Sequence, residues 1–308
     1  MHTQISAFHQ HRKRLFGIAY RMLGTHADAE DVLQDAYLRW HALSAQPENP
    51  EAWLVTVVTR LCIDRLRKVK LERENYIGAW LPEPLIATDI DHHSPEWMVE
   101  FASDVSTAFL VVLERLGPEE RAAFLLHDVF ELDYSEIANM LDKTEASCRQ
   151  LVSRARGRVR QSDAKPVAAV KHVVSPEMHL QLLQQFMVAS KSGDRAHLEA
   201  LFTSDATFTG DGGGVVVSAL RILHGPDRIA RLFHAIARQH GDILSFQVAD
   251  INGEPGILRY GNGKLDSVLS FVLEADEHGK TRIKALYALR NPHKLLGVDA
   301  AFRIDEKN

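Results

Sequence analysis

The chain has 308 residues, a formal net charge of -5, 45 % hydrophobic and 25 % charged residues. That composition describes a globular protein with room for two or three domains. It excludes indiscriminate nucleic-acid binding by overall basicity, though not binding by a local basic patch.

No apolar run is long enough to cross a bilayer, and "MHTQISAFHQHRKRLF" lacks the apolar core of a signal peptide. Cys62 and Cys148 lie far apart, each within a helical pattern. A disulfide or zinc site is not expected, no cofactor is called for, and a reducing cytoplasm is the expected location.

Helices come first. From about Ser6 to Leu23, Phe8, Leu15, Phe16, Ala19, Met22 and Leu23 recur at helical spacing. In "GTHADAEDVLQDAYLRWHAL", Thr25 is the candidate N-cap, with acids in the first turn and an apolar stripe of Val32, Leu33, Ala36, Tyr37 and Trp40. "NPEAWLVTVVTRLCIDRLRKVK" opens with Asn49 as N-cap and Pro50 at the first helical position. Its VTVV run is β-branched, but its length and the Trp53, Val57, Leu61 spacing predict a buried helix. The next stretch, "YIGAWLPEPLIATDIDHHSPEW", is rich in Pro, Gly and Asp and reads as a linker without regular structure.

Helical periodicity returns from about Pro95 to Val159, followed by a second linker, "QSDAKPVAAVKHVVS". Two more helices are expected, at about Pro176–Ser192 and Asp194–Leu201. "GDGGGVV" supplies flexible backbone before a strand, and "GPDRIARLFHAIARQ" reads as a helix. The runs "ILSFQVADI", "GILRY", "DSVLSFVLEA" and "TRIKALYALR" read as strands joined by Asn/Gly/Glu turns. Helices followed by successive strands make the last third α+β.

The most concentrated charge is "EASCRQLVSRARGRVR", with five arginines and no acid after Glu145. Upstream, Asp133 and Glu136 have capping-box spacing, and "DKT" makes a short turn. Thr144 can cap a second helix whose Cys148, Leu151, Val152 and Ala155 share one face. Two short helices with a tight turn and a polar N-terminal face describe a helix-turn-helix. Arg149, Gln150 and Arg154 are suited to base edges, Ser147 and Ser153 to phosphate, and Arg156, Arg158 and Arg160 to the backbone. A solvated basic helix end is the plainer alternative; the lack of balancing acids and the full pattern favour DNA.

On these residues the chain resembles the extracytoplasmic-function (ECF) RNA polymerase sigma factors. "DAEDVLQDAYLRW" is similar to the family's core-polymerase-binding helix, and "PEAWLVTVVTRLCIDRLRK" to the helix facing the minus-10 element. "LGPEERAAFLLHDVFELDYSEIANMLDKTEASCRQLVSRARGRV" resembles the minus-35-binding region. "YIGAWLPEPL", "DGGG" and "NPHKL" resemble signature stretches of the subgroup with a fused SnoaL-like C-terminal domain. Val215 stands where relatives have Lys, and His293 where they have Asp.

The resemblance implies a multidomain fold: two all-α DNA-binding domains and a C-terminal α+β cone with a curved antiparallel sheet and helices around a cavity. The two are a region 2 helical bundle and a region 4 helix-turn-helix. The expected divisions are 1–73 (region 2), 74–96 (linker), 97–162 (region 4), 163–175 (second linker) and 176–308 (SnoaL-like regulatory domain). The expected function is promoter-specific transcription initiation, without enzymatic activity. A DNA-tethered cyclase- or isomerase-like enzyme and a ligand-sensing repressor are the alternatives.

The implied partners are RNA polymerase core, through its clamp coiled coil, and promoter DNA. A separate anti-sigma factor is not required, and a small ligand in the C-terminal cavity is conceivable. Asp28, Asp31, Gln34 and Asp35, with Glu30 beside them, are the expected polymerase contacts. Asn49, Arg60, Arg65, Arg67 and Lys68, flanked by Lys70 and Arg73, are the minus-10 set; Ser147, Arg149, Gln150, Ser153, Arg154, Arg156 and Arg158 are the minus-35 set. Trp40 and Trp53 are expected in the core. Tyr76, Trp80, Leu81 and Pro82 are expected to dock on Asp211, Gly212, Gly213, Gly214, Asn291, Pro292, Lys294 and Leu295. Asp205, Asp211, His224 and His234 resemble an acid/base set but are expected to cap or stay at the surface.

Overall fold

The structure, a computed structural model, describes residues 2–45, 47–73, 76–87, 105–160, 174–275 and 280–303. Most of the expected linkers (88–96 and 163–173) and residues 97–104 of the expected region 4 segment lie outside the described residues. The side chains of Lys70 and Arg73 do too. The chain divides into two compact units, Met1–Asn75 with Phe109–Pro166, and Tyr76–Ala108 with Val167–Asn308.

The first unit is all helix. Helices α1 (His2–Leu23), α2 (His26–His41) and α3 (Pro50–Arg73) form its first half. Thr25 caps α2 by accepting from Asp28 N at 3.3 Å, and Asn49 caps α3 by accepting from Ala52 N at 3.0 Å. Phe16, Tyr20, Trp40 and Leu54 are fully buried between them. Trp40 lies 5.5 Å from the Trp53 ring, so core packing accounts for it. The VTVV run stays helical because Leu54, Val55 and Val58 bury along one side of a long helix.

The second half comprises α4 (Thr107–Leu113), which begins in the other unit's range, and α5 (Pro118–Phe124), extended by a π turn at Leu125–Val129. Helices α6 (Tyr134–Leu141) and α7 (Glu145–Arg160) follow. Asp133 N donates to Glu136 Oε2 at 3.0 Å in the expected capping arrangement. Asp142, at φ 54°, ends α6 in the left-handed conformation, and Thr144 accepts from Ser147 N to start α7. Cys148, Leu151, Val152, Ala155 and Val159 bury as one stripe.

The second unit is a sheet with helices. Helices α8 (Pro176–Ser192), α9 (Arg195–Ala200) and α10 (Pro226–His240) pack on one face; α11 (Pro292–Arg303) follows the last strand. The strands are β1 (Ile86–Ala87), β2 (Phe202–Asp211), β3 (Leu223–His224), β4 (Leu244–Ile251), β5 (Glu254–Gly261), β6 (Lys264–Ala275) and β7 (Thr281–Leu289), in the order β1-β4-β5-β6-β7-β2-β3. The β4–β5 and β5–β6 turns are Asn252-Gly253 and Asn262-Gly263, with φ of 56° and 75°, and 50° and 72°. Positive φ at both positions is what a two-residue hairpin turn needs.

Four features differ from the sequence expectation. The sheet is mixed, because β2 runs parallel to β7; the intervening chain crosses over through α10. The long strand precedes the glycines rather than following them, and residues 215–222 are irregular. The linker contributes β1, paired antiparallel to the edge strand β4. The cone interior holds Phe186, Phe202, Phe208, Phe233 and Phe271, packed edge to face at 5.0–6.3 Å, so its deep end is a packed core.

Candidate functional site

On α2, Asp31, Gln34 and Asp35 are exposed on one face, and Leu38 joins them at 57 % exposure. The i, i+3, i+4, i+7 spacing makes this an acidic strip around an apolar centre. Leu38 was not singled out from sequence, because one leucine beside an apolar stripe gives no sign that it faces outward. Asp28 is set apart: Arg65 donates to its Oδ1 from Nε at 3.0 Å and Nη2 at 2.7 Å. Glu30 is likewise taken up by Arg12.

On α3, Arg60, Arg65, Arg67 and Lys68 are exposed, as is Asn49 at its start. Two of the arginines engage the second half of the same unit. Arg60 Nε donates to Met140 O at 2.8 Å, and Arg67 Nη2 to Glu119 Oε1 at 2.8 Å. Carbonyls at the C-terminal end of α6 suit a guanidinium through both hydrogen bonding and the helix dipole. Lys143 lies 3.1 Å from Glu119, whose carboxyl is held below the usual glutamate range first by the Lys143 hydrogen bond. A cleft of about 220 Å³ lies at this seam, lined by Arg60, Ile63, Asp64, Arg67, Glu119, Met140, Leu141 and Lys143.

On α7, Gln150 and Ser153 are exposed and make no described side-chain hydrogen bond; Ser147 is half-buried. Four of its five arginines are paired. Arg149 meets Glu145 at 2.6 Å and lies over the Tyr134 ring. Arg154 and Arg158 both reach Glu120, and Arg156 is bidentate to Asp128 at 2.7 and 2.9 Å. The acids absent from this helix's own sequence are therefore supplied by α5 and the π turn. The excess positive charge read from the helix alone is smaller in the fold.

In the second unit the buried Asp211 carboxylate collects four donors. Tyr76 OH and Gly213 N reach Oδ1, at 2.5 and 2.9 Å; Leu81 N and Lys294 Nζ reach Oδ2, at 2.9 and 2.7 Å. Asn291 Nδ2 donates to Tyr76 OH at 3.0 Å, and Lys294 lies 4.0 Å from the Trp80 ring centroid. Leu81 and Pro82 are buried, as are Asn291 and Leu295; Pro292 starts α11.

A Cβ on Gly213 would collide with Asn291, and one on Gly214 would press on Ile77 at 3.1 Å. Both glycines have positive φ. A second fastening follows: Leu85 N donates to Asn252 Oδ1, and Asn252 N to Leu85 O, each at 2.8 Å. Asn252 went unnoticed in the sequence because it reads simply as half of an Asn-Gly turn. At His293 only the backbone N is used, donating to Asn291 Oδ1, and Val215 is exposed. Neither side chain has a described hydrogen bond to the clasp.

Asp205 pairs with Lys284, His234 bonds the Gly193 carbonyl, and His224 is exposed on β3. These groups do not converge with Asp211 on one reacting position. Among the described residues, no group of three His, Cys, Asp or Glu is placed to hold a metal ion. No helix of these residues is long and apolar enough to cross a membrane. Cys62 and Cys148 are free and buried, and burial pushes both thiols up.

Residues 7–72 match the Sigma-70 region 2 family and residues 106–159 the Sigma-70, region 4 family. ECF RNA polymerase sigma factor SigJ of Mycobacterium tuberculosis is 37 % identical over 301 residues, covering 96 % of this chain and 94 % of that one. The chain belongs to the ECF RNA polymerase sigma factors. Members of this family bind RNA polymerase core and direct promoter-specific transcription initiation; they are initiation factors rather than enzymes. Probable ECF RNA polymerase sigma factor SigI of M. tuberculosis is 32 % identical, covering 92 % of this chain and 93 % of its own. The crystal structure of M. tuberculosis SigJ superposes with a TM-score of 0.73 at 35 % identity, covering 95 % of this chain and 98 % of that one. The similarity thus runs through the C-terminal unit as well as the sigma regions.

Proposed function

We propose that this sigma factor is regulated by how its C-terminal domain holds the linker between regions 2 and 4. The observation that carries this is the Asp211 carboxylate, fully buried and bonded to Tyr76, Leu81 and Lys294. Promoter recognition needs regions 2 and 4 to engage two DNA elements together, and linked modules gain affinity only when their spacing permits it. A linker fastened at Tyr76–Leu81 and again at Leu85–Ala87 has less freedom to adjust that spacing.

In this reading Asp31, Gln34 and Asp35, with Leu38, meet the basic clamp coiled coil of polymerase, and Asp28 braces Arg65. Lys68, Asn49, Arg60, Arg65 and Arg67 contact the minus-10 element once Arg60 and Arg67 leave α6 and Glu119. Arg149, Gln150 and Arg154 face the minus-35 bases, Ser147 and Ser153 reach phosphate, and Arg156 and Arg158 steady the backbone. The fused domain takes the place of a separate anti-sigma factor, and the protein acts in the cytoplasm.

Run-off transcription with purified polymerase core tests the regulatory reading. Trp80→Ala and Lys294→Met should change initiation in the same direction and non-additively, since both loosen one clasp. Strictly additive small effects would leave the domain a passenger.

A further inference from the structure

At the mouth of the cone one row of residues crosses the inner face of the sheet. Phe246 stands opposite Arg259, and Arg259 opposite Ser267. Val268 pairs with Leu289, so Arg290 continues the row beside Ser267. Between the pairs Arg259–Ser267 and Tyr260–Leu265, Asp266 has no cross-strand partner. This bulge turns its carboxylate onto the arginines. Arg259 Nε and Nη2 both donate to Asp266 Oδ2, at 3.0 and 2.5 Å, and Arg290 Nη2 donates to Oδ1 at 2.6 Å.

Two guanidiniums share one carboxylate here, which leaves one positive charge over. Arg259 is 4 % exposed, and an under-compensated buried cation is costly. Its burial pulls the guanidinium pKa down despite the Asp266 carboxylate. Polar capacity is also unspent. No described hydrogen bond uses Arg259 Nη1. Ser267 Oγ, fully buried, and Arg290 Nε have no partner. A buried hydroxyl left unbonded is unfavourable in a finished core.

The loop after β2 meets this row at Arg290. A Cβ on Gly210 would collide with Ser218, and one on Gly212 with the Val216 carbonyl. Gly210 therefore lets the loop approach β2 at Ser218, and Gly212 lets the loop close tightly on itself. The Val217 carbonyl accepts from Arg290 Nη1, while the Val217 side chain is 88 % exposed. The loop thus presents an oxygen to the arginine but leaves its apolar side chains in water.

We propose that the cone mouth is a binding site for a small organic anion, a carboxylate or phosphate ester with an apolar body. Its oxygens take Arg259 Nη1, Ser267 Oγ and the place on Arg290 now held by the Val217 carbonyl. Phe246, half-buried in this row, receives the apolar body. The loop is a lid continuous with Asp211, so binding displaces the chain adjoining the linker clasp. The site stands independently of the regulatory reading, because occupancy is measured without transcription.

The experiment is isothermal titration calorimetry of the full-length protein with sodium benzoate, sodium acetate and inorganic phosphate, at ionic strength matched with chloride. Saturable one-to-one binding is expected, with benzoate tighter than acetate. Phosphate tighter than both carboxylates would assign the ester and keep the site. Arg259→Gln risks the fold by stripping Asp266, so the deciding variants are Ser267→Ala and Arg290→Gln, checked for unchanged circular dichroism. Each should weaken binding about tenfold, the worth of one charge-assisted hydrogen bond. No saturable heat with any probe, or affinity unchanged in both variants, would overturn the proposal.

Discussion

Lys294 Nζ lies 2.7 Å from Asp211 Oδ2, in a setting where the carboxylate is fully shielded from water and the lysine side chain is 10 % exposed. A buried pair of this kind contributes little over an apolar substitute, but losing one partner strands the other. Asp211→Asn keeps the shape and removes the charge that Lys294 faces. The expected outcome is loss of about 3–5 kcal/mol from linker docking. Trp80 fluorescence and limited proteolysis between residues 76 and 87 read it; an unchanged digestion pattern would count against the clasp.

Arg60 and Arg67 make a second relationship testable, because the same guanidiniums cannot serve α6, Glu119 and DNA at once. Glu119→Gln frees Arg67 and Lys143. These are partly exposed pairs, so each contributes no more than about 1 kcal/mol. The free sigma factor should bind a minus-10 oligonucleotide several-fold more tightly, and raising the salt should shrink the difference. Fluorescence anisotropy checks it, and equal affinities in variant and parent would leave this seam without a part in DNA access.

For the recognition helix, the free amide of Gln150 and the paired guanidinium of Arg156 predict different signatures. Gln150→Ala should cost about 1–3 kcal/mol at one base pair and relax preference there. Arg156→Ala should weaken all minus-35 sequences alike and reduce the salt slope. It also unpairs Asp128, bonded at 2.7 and 2.9 Å. Binding to a set of single-base minus-35 variants separates the two.

The helical half of the protein was legible because its signals are local. Thr25, Asn49 and Thr144 each cap the helix they precede, and the Cys148–Val159 stripe follows from spacing alone. The strands bounded by Asn-Gly turns were legible for the same reason. What the sequence hid depends on distant partners. β2 reads poorly because its neighbour is β7, some eighty residues on and parallel. The linker strand exists only because the edge of β4 is there to receive it. The counter-charges of Arg154, Arg156 and Arg158 lie far upstream, at Glu120 and Asp128, so no window around those arginines contains them.

The β4–β5 hairpin sets a pH dependence for the C-terminal domain. Burial, with a further push from Asp250, raises the Glu254 carboxyl to about 7, and burial raises Asp250 as well. Ala87 of the linker strand pairs with Asp250 itself, so both acids sit where the linker is held. His179, also near this turn and donating to the Pro255 carbonyl, is pushed down by burial.

Between the ordinary glutamate range and pH 7 the folded domain binds more protons than the unfolded chain, so stability falls as pH rises through that window. The contribution is fully present below about pH 4.5 and lost above about 7. Glu254→Gln removes the charge that is costly at neutral pH. Its melting temperature should exceed the parent's at pH 8, converge with it near pH 5, and show a flatter profile between. Thermal denaturation from pH 5 to 8 measures this, and parallel profiles in parent and variant would show that Glu254 does not carry the dependence.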